Sequence, residues 1–439
     1  MPGDELTRDT IAAIATPAGR GGIGVVRVSG PGVSEVARRV LGRLPAPRHA
    51  TLASFADARG ERIDEGLALY FPAPHSYTGE AVLELQGHGG PVVMEALLES
   101  CLDAGARLAE PGEFTRRAFL EGKLDLAQAE AVADLIEAAS ASAARAALRS
   151  LSGEFSGAVD RLAAQLVELR VLTEAMLDFP EEDVEAVHRK DADSRLAGLE
   201  RALLALIEAS RRGALLRGIQ IVLAGAPNVG KSSLLNRLAG EERAIVTPVP
   251  GTTRDALRET IQLNGVALTL VDTAGLRASE DLVERLGIER TQQEIARADV
   301  VLWVSEAGAA APAPPALPPG AKRVEVFNKI DLAPEFVVPP GALGVSARTG
   351  EGLEALRAAI LTAAGWSSAG ESVYLARERH LRALRQAATH LRSAGVQLAR
   401  WELFAEELRL AHHALGRITG EFTSDELLGE IFGRFCIGK

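Results

Sequence analysis

Residues 219–238 read Ile219-Gln220-Ile221-Val222-Leu223-Ala224-Gly225-Ala226-Pro227-Asn228-Val229-Gly230-Lys231-Ser232-Ser233-Leu234-Leu235-Asn236-Arg237-Leu238. The first six form an apolar run and predict a buried strand over 219–224; the helical pattern resumes at 233–238. The eight residues between them fit G-x-x-x-x-G-K-[ST], a phosphate-binding loop in the strand–loop–helix setting that gives the spacing meaning. Glycines let backbone N–H groups converge on phosphate oxygens, and the helix N-terminus adds partial positive charge. Lys231 is expected to reach the β- and γ-phosphates, and the Ser232 hydroxyl to ligate Mg²⁺.

Downstream residues repeat this logic. Gly251-Thr252-Thr253 offers the Thr253 hydroxyl as a second Mg²⁺ ligand. Strands expected at Thr260–Leu263 and Ala267–Val271 are joined by Asn264-Gly265, a strong hairpin signal. They lead to Asp272-Thr273-Ala274-Gly275, where a carboxylate can hold a metal-bound water and the Gly275 N–H can sense a γ-phosphate. After strands at Val300–Val304 and Arg323–Phe327 comes Asn328-Lys329-Ile330-Asp331. The Asp331 carboxylate can accept from both N–H donors on guanine's edge, a pair adenine lacks, so this motif selects the base. A last short strand, Leu343–Val345, ends in Ser346-Ala347-Arg348, whose backbone N–H groups suit the guanine oxygen. Each tetrapeptide alone fits an ordinary turn. Five in order at the carboxyl ends of strands, where α/β sheets bind ligands, predict GTP binding. Leu276 stands where Ras-like proteins carry a water-orienting Gln. Glu280, Asp281 and Glu284 are the nearest carboxylates, and on composition alone they read as solvated residues opening a helix.

Outward from this α/β region the texture is helical over Leu124–Arg212, with a break at Phe179-Pro180, and helical again over Arg377–Ile431. The α/β region therefore reads as an insertion in a helical domain, with entry near Gly218 and exit near Gly365–Gly370. The first ~120 residues mix strands, expected at Ile11–Thr16, Gly24–Ser29 and Ala81–Gln86, with a helical pattern. Gly19-Arg20-Gly21-Gly22-Ile23-Gly24 matches G-x-G-x-x-G, yet a strand follows it instead of a helix, so it reads as a connecting loop. The Gly-rich stretches Ser76–Glu80 and Glu84–Gly90 suit a pocket, and His88 within the second reads as structural.

Composition sets bounds. The 439 residues carry 48 cationic against 59 acidic side chains, net −11, which disfavours a broad basic surface and leaves room for a local one. Only six cations are lysines: Lys123, Lys190, Lys231, Lys322, Lys329 and Lys439. Two cysteines, Cys101 and Cys436, give no disulfide framework, and there is no membrane-spanning run or secretion signal, so a cytoplasmic location is expected.

The chain resembles the MnmE (TrmE) family of tRNA-modification GTPases over essentially its whole length. The resemblance rests on Gly21–Gly24 with Arg27, Leu83–Gly90, Pro111-Gly112-Glu113-Phe114, Lys123–Glu130, the five nucleotide motifs, Gly420–Asp425 and the terminal Cys436-Ile437-Gly438-Lys439. It implies a multidomain α/β and α+β protein. An α+β tetrahydrofolate-binding and dimerisation domain (1–122) precedes a helical domain (123–217 and 369–439) interrupted by a Ras-like P-loop G domain (218–368).

It implies GTP, Mg²⁺ and K⁺ as cofactors, a homodimer, and a complex with the flavoprotein MnmG, which supplies FAD. The tetrahydrofolate one-carbon derivative is a 5,10-methylene or 5-formyl form. The product is an aminomethyl or carboxymethylaminomethyl group on C5 of the wobble uridine of certain tRNAs, with K⁺-dependent G-domain dimerisation driving hydrolysis. Nucleotide contacts map onto Asn228, Val229, Gly230, Lys231, Ser232, Ser233, Thr247, Pro248, Val249, Pro250, Gly251, Thr252, Thr253, Asp272, Thr273, Ala274, Gly275, Asn328, Lys329, Asp331, Ser346, Ala347 and Arg348. Catalysis maps onto Lys231, Thr253 and Glu284, the last positioning water. K⁺ maps onto Asn228, Thr247, Val249 and Thr252, folate onto Arg27, Glu84, Lys123 and Lys439, and Cys436 matches a terminal cysteine in the modification chemistry. The competing expectation is a regulatory GTPase switch for ribosome or ribonucleoprotein assembly. No KH-like GXXG appendage follows the G domain, and no basic amphipathic anchor suggests a membrane GTPase.

Overall fold

The structure is a computed structural model that describes residues 9–178, 185–241, 258–263, 266–272, 293–296, 298–309, 317, 322–366, 374–422 and 424–438. The chain divides into two compact units, 1–133 with 416–439, and 134–415. In these units 416–439 lies with the N-terminal residues.

In the first unit, six strands form one sheet in the order β3-β4-β5-β2-β1-β6: β1 Ile11–Ile14, β2 Gly24–Ser29, β3 Thr51–Ala56, β4 Arg62–Phe71, β5 Val82–Gly87 and β6 Arg107–Leu108. All pairings are antiparallel except β1 with β6. Three of these strands were expected. β3 and β4 escaped notice because they alternate with exposed and half-buried residues, so no apolar run marks them. Helices α1 (Val33–Leu41) and α2 (Pro91–Asp103) cover one face, burying Val26, Val28, Leu83, Leu85, Phe55, Met94 and Leu97 together. On the other face α3 (Glu113–Leu120) lays Phe114 on Ile11 and Ala13.

The turn into α3 requires Gly112. Its φ is +68°, and a Cβ there would sit 2.6 Å from the Phe432 carbonyl oxygen. That close approach is how the C-terminal helix α12 (Asp425–Phe432) docks, with Phe119 and Phe432 rings 6.4 Å apart.

The second unit holds the end of α4 (Leu126–Ile136), α5 (Ala141–Leu151), α6 (Glu154–Asp178), α7 (Glu185–Ala214), the second sheet and its helices, α10 (Glu378–Val396) and most of α11 (Trp401–Thr419). Its sheet runs β12-β11-β10-β7-β9-β8: β7 Ile219–Ala224, β8 Arg258–Leu263, β9 Val266–Asp272, β10 Val300–Glu306, β11 Lys322–Asn328 and β12 Leu343–Gly344. Only β8 is antiparallel to its neighbour. Strand order reverses about β7, so the loop after β7 lies at the switch point, flanked by the carboxyl ends of β9 and β10. Helices α8 (Lys231–Glu241) and α9 (Leu353–Ala364) pack on the sheet.

One core joins sheet residues Ile219, Ile221, Leu268 and Val300 with Leu216, Leu375 and the α5 alanines 143, 146 and 147. The inserted sheet therefore shares its packing with the helical segment that precedes it. At its base, Asp134, with its side chain 2% exposed, receives Arg217 (3.2 Å) and Arg377 (2.9 Å). These two arginines lie where the chain enters the sheet region and where it returns, and one carboxylate ties both. No helix among the described residues is long and apolar enough to cross a membrane.

Candidate functional site

The loop after β7 is shaped by three residues with positive φ: Gly225 (+146°), Asn228 (+63°) and Gly230 (+91°). A Cβ on Gly225 would fall 2.0 Å from the Val304 carbonyl oxygen, and one on Gly230 2.4 Å from Asn328 Nδ2, so β10 and β11 press the loop into shape. Lys231, 5% exposed, folds back over the loop and donates to the carbonyls of Gly225 (3.1 Å) and Ala226 (2.8 Å). Its ammonium is thus held against the concave side of the loop, where converging N–H groups and the α8 N-terminus favour an anion.

Asn328 acts as the cross-tie. Buried to 1% exposure, it donates through Nδ2 to the Val229 carbonyl (2.9 Å) and accepts through Oδ1 from the Ala347 N–H (3.1 Å). It fastens the phosphate loop to the Ser346-Ala347-Arg348 loop. Lys329, at φ +65°, pairs with Glu306 at 2.8 Å. Asp331 follows β11 in a 3₁₀ turn (Ile330–Leu332) with its side chain 11% exposed. Ser346 Oγ donates to its Oδ1 (2.7 Å), and the well-exposed Arg348 guanidinium meets Oδ2 (2.9 Å). The carboxylate is thereby aimed and its far side faces a group that solvent can replace.

The structure thus brings Asn228, Val229, Gly230, Lys231, Ser232, Ser233, Asn328, Lys329, Asp331, Ser346, Ala347 and Arg348 to the carboxyl end of one sheet. Asp272 closes β9, next to β7. The expected Thr247, Pro248, Val249, Pro250, Gly251, Thr252, Thr253, Thr273, Ala274, Gly275 and Glu284 lie outside the described residues, as does the Asn264-Gly265 turn.

In the first unit, Arg27 on β2 and Glu84 on β5 are register partners, and their side chains pair with Arg27 Nη2 2.9 Å and Nε 3.0 Å from Glu84 Oε1. The Arg27 guanidinium lies over Tyr77 (5.5 Å) and Phe114 (5.8 Å), and its Nη1 is 3.5 Å from the Gly438 carbonyl oxygen. Burial pushes the Tyr77 hydroxyl above its ordinary pKa, against the opposing pull of Thr115 and Arg27. Lys123 is exposed, with its stem packed near Gly79, two residues from Tyr77. Lys439 lies outside the described residues, but Gly438 is fixed: a Cβ there would sit 2.4 Å from the Ile14 carbonyl oxygen. The Cys436 carbonyl accepts from the Gly112 N–H (3.3 Å), and its side chain is exposed.

Tyr77 and Phe114 belonged to strings noted in the sequence, but nothing in their spacing showed that both rings flank Arg27. A buried ionic network supports this wall. Arg117, 1% exposed, holds Asp9 (2.8 Å), Glu80 (3.1 Å) and Glu113 (2.9 Å), and Arg107 grips Glu113 at 2.6 Å. Burial alone would raise the Glu113 carboxyl, but Arg107, the Glu110 N–H and Arg117 together hold it below the usual range. His88 is structural in part: its N–H and Nδ1 both meet Asp64 (2.7 and 2.8 Å), leaving the ring exposed.

Against this geometry stand the comparisons with known proteins. A family model described as the MnmE helical domain matches residues 126–436, and one described as the GTP-binding protein TrmE N-terminus matches 10–123. The tRNA modification GTPase MnmE of Azoarcus sp. (strain BH72) is 62% identical, with 98% of each chain covered. That of Thiobacillus denitrificans (strain ATCC 25259 / T1) is 58% identical, again with 98% of each chain covered. Among solved structures, the FeoB G domain from Methanococcus jannaschii aligns with 34% of this chain and 98% of its own, at 23% identity and a TM-score of 0.25.

Proposed function

Because this chain belongs to the MnmE family of tRNA modification GTPases, we propose that it hydrolyses GTP while modifying tRNA and that its N-terminal unit seats a tetrahydrofolate one-carbon derivative, 5,10-methylene or 5-formyl. The observation that carries the reading is the cradle at the end of β7. There two glycines admit no Cβ, Lys231 is folded over the loop, and Asn328 ties the phosphate loop to the loop beside Asp331. This arrangement fits a nucleotide: an anion at the loop, a base donor edge at Asp331.

Ser232, beside Lys231 at the start of α8, would hold Mg²⁺ together with Thr253, and the metal when bound neutralises charge developing on the phosphate oxygens. Asn228 would join Thr247, Val249 and Thr252 around K⁺, and Glu284 would orient the attacking water. Lys231 keeps its ammonium on the phosphate side, and Asp331 discriminates the base. For folate, Arg27 offers donors between two aromatic rings, Glu84 an acceptor, and Lys123 and Lys439 further cations, a donor set suited to a flat heteroaromatic ring and to carboxylates. Cys436, whose side chain is exposed, would take part in the modification chemistry. The partners in this reading are a second copy of the chain, the FAD-bearing flavoprotein MnmG, and a tRNA receiving the aminomethyl or carboxymethylaminomethyl group at its wobble uridine. The division 1–122, 123–217, 218–368 and 369–439 belongs to the same reading.

The deciding experiment is calorimetric titration with 5-formyltetrahydrofolate, alongside GTP hydrolysis in K⁺ and in Na⁺. Saturable folate uptake lost in Arg27→Ala, with faster hydrolysis in K⁺, is expected. Absence of uptake would remove the folate role and leave the nucleotide reading standing, and equal rates in the two salts would remove the K⁺ site.

A further inference from the structure

Beyond Glu378, helix α10 and the turn after it carry cationic side chains and no acidic ones. From 379 to 400 there are five arginines (Arg379, Arg382, Arg385, Arg392 and Arg400) and no Asp or Glu, in a protein of net charge −11. The helix buries Leu381, Leu384, Ala387, Ala388, Leu391 and Ala394 on one side, leaving Arg382, Arg385 and Arg392 exposed on the other. At 3.6 residues per turn these three fall within an arc of about 80° and span about 15 Å along the axis. Exposed Gln386 and Thr389 lie between them.

Elsewhere, several exposed helix arginines are neutralised one turn away, while Arg145 and Arg201 bond to Ser142 and the Ala197 carbonyl of their own helices. Arg39 pairs with Glu35, Arg195 with Asp191, Arg211 with Glu208 and Arg409 with Glu406. The α10 stripe departs from this habit. Arg385 reaches only Glu378, at 3.6 Å with both side chains more than half exposed, a contact of little worth. Arg392 donates to its own helix, to the Ala388 carbonyl and Thr389 Oγ1 (both 3.3 Å). Arg382 makes no ion pair among the described residues. On α11, Glu407 is engaged by His390 (2.7 Å) and Glu406 by Arg409. Leaving like charges one turn apart costs the helix stability unless a polyanion faces them.

We propose that this face of α10 binds the phosphate backbone of the RNA substrate, a tRNA on the functional reading above, on which the inference rests. A row of single cations at one-turn and two-turn spacing meets several phosphates of one strand, and the flexible arginines need no base contacts to do so. The binding is therefore insensitive to sequence and steeply dependent on salt.

The test measures affinity of unmodified tRNA for the full chain against salt concentration. It uses wild type, Arg382→Gln/Arg385→Gln/Arg392→Gln, the corresponding triple Lys variant and each single Gln variant. The triple Gln variant should bind at least tenfold more weakly at moderate salt and lose about two to three from the slope of log K against log salt, and each single variant about one. The Lys variant should bind like wild type, GTP hydrolysis should be unchanged throughout, and thermal unfolding should be unchanged in the Lys variant and no lower in the Gln variants. Wild-type affinity and slope in the Gln variants would overturn this surface while leaving the tRNA reading intact. A Lys variant as weak as the Gln variant would also overturn it, since charge would not be what matters, as would a Gln variant that keeps tRNA and instead loses a protein partner. No binding of tRNA by wild type would overturn both readings.

Discussion

Asp331→Asn isolates base selection, because the carboxylate is held from both sides and the replacement has the same shape. In the structure Ser346 Oγ donates to Oδ1 and Arg348 to Oδ2, and the side chain is 11% exposed. Guanine presents two adjacent donors, so two charge-assisted hydrogen bonds form with the aspartate. In the asparagine the oxygen takes the Oδ1 place against the fixed Ser346 hydroxyl, and Nδ2 takes the other, because the exposed Arg348 swings away from a donor. One bond to guanine, worth about 1.5–3 kcal/mol, is then lost, and two donors face each other at a further cost of about 1–3 kcal/mol. The combined loss of about 2.5–6 kcal/mol corresponds to roughly 10²–10⁴-fold weaker GDP binding. Xanthine has an oxygen where guanine has its amino group, so XDP gains what GDP loses. Calorimetry with GDP and XDP on both proteins measures this directly. GDP affinity within a few-fold of wild type and no gain for XDP would refute the assignment of Asp331 to the base.

Four further outcomes are expected. Asp134→Ala strips the shared acceptor from Arg217 and Arg377. Since Arg217 is about a third exposed, the cost is discounted to about 2–3 kcal/mol, and thermal unfolding several degrees lower is the measure; an unchanged midpoint would mean the clamp contributes nothing. The carboxyls of Asp9, Asp64 and Glu113 are held below their ordinary pKa. Their stabilisation is therefore complete above the unfolded values near 4 and drains away as pH falls through the depressed ones, so stability should drop below about pH 4. Glu113→Gln should flatten that acid limb, and identical limbs would count against the network. Burial pushes the Cys101 thiol up to about 12 while Cys436 is exposed, so iodoacetamide at pH 8 should label one site, Cys436, by mass spectrometry. Glu284→Ala should keep GTP affinity and slow turnover; weakened binding with normal turnover would assign it another role.

The nucleotide site was legible in the sequence because its determinants are local. A strand, a glycine-bearing loop and a helix start are contiguous at 219–238, and backbone N–H groups do the binding. Short motifs at later strand ends could be recognised before anyone knew how those strands were ordered. Sequence alone also fixed the helical texture on either side, since apolar periodicity is a property of one segment at a time.

Pairings across the chain belonged to the tertiary structure. Arg27 meets Glu84 through antiparallel register, Tyr77 from a loop and Phe114 from α3 close on Arg27, and Gly112 admits Phe432 from the far end of the chain. The Asn328–Val229 tie and the Asp134–Arg377 pair likewise join residues 99 and 243 positions apart. No period or spacing encodes such contacts, because what selects them is the shape left when two surfaces exclude water, and that exists only after the chain has folded.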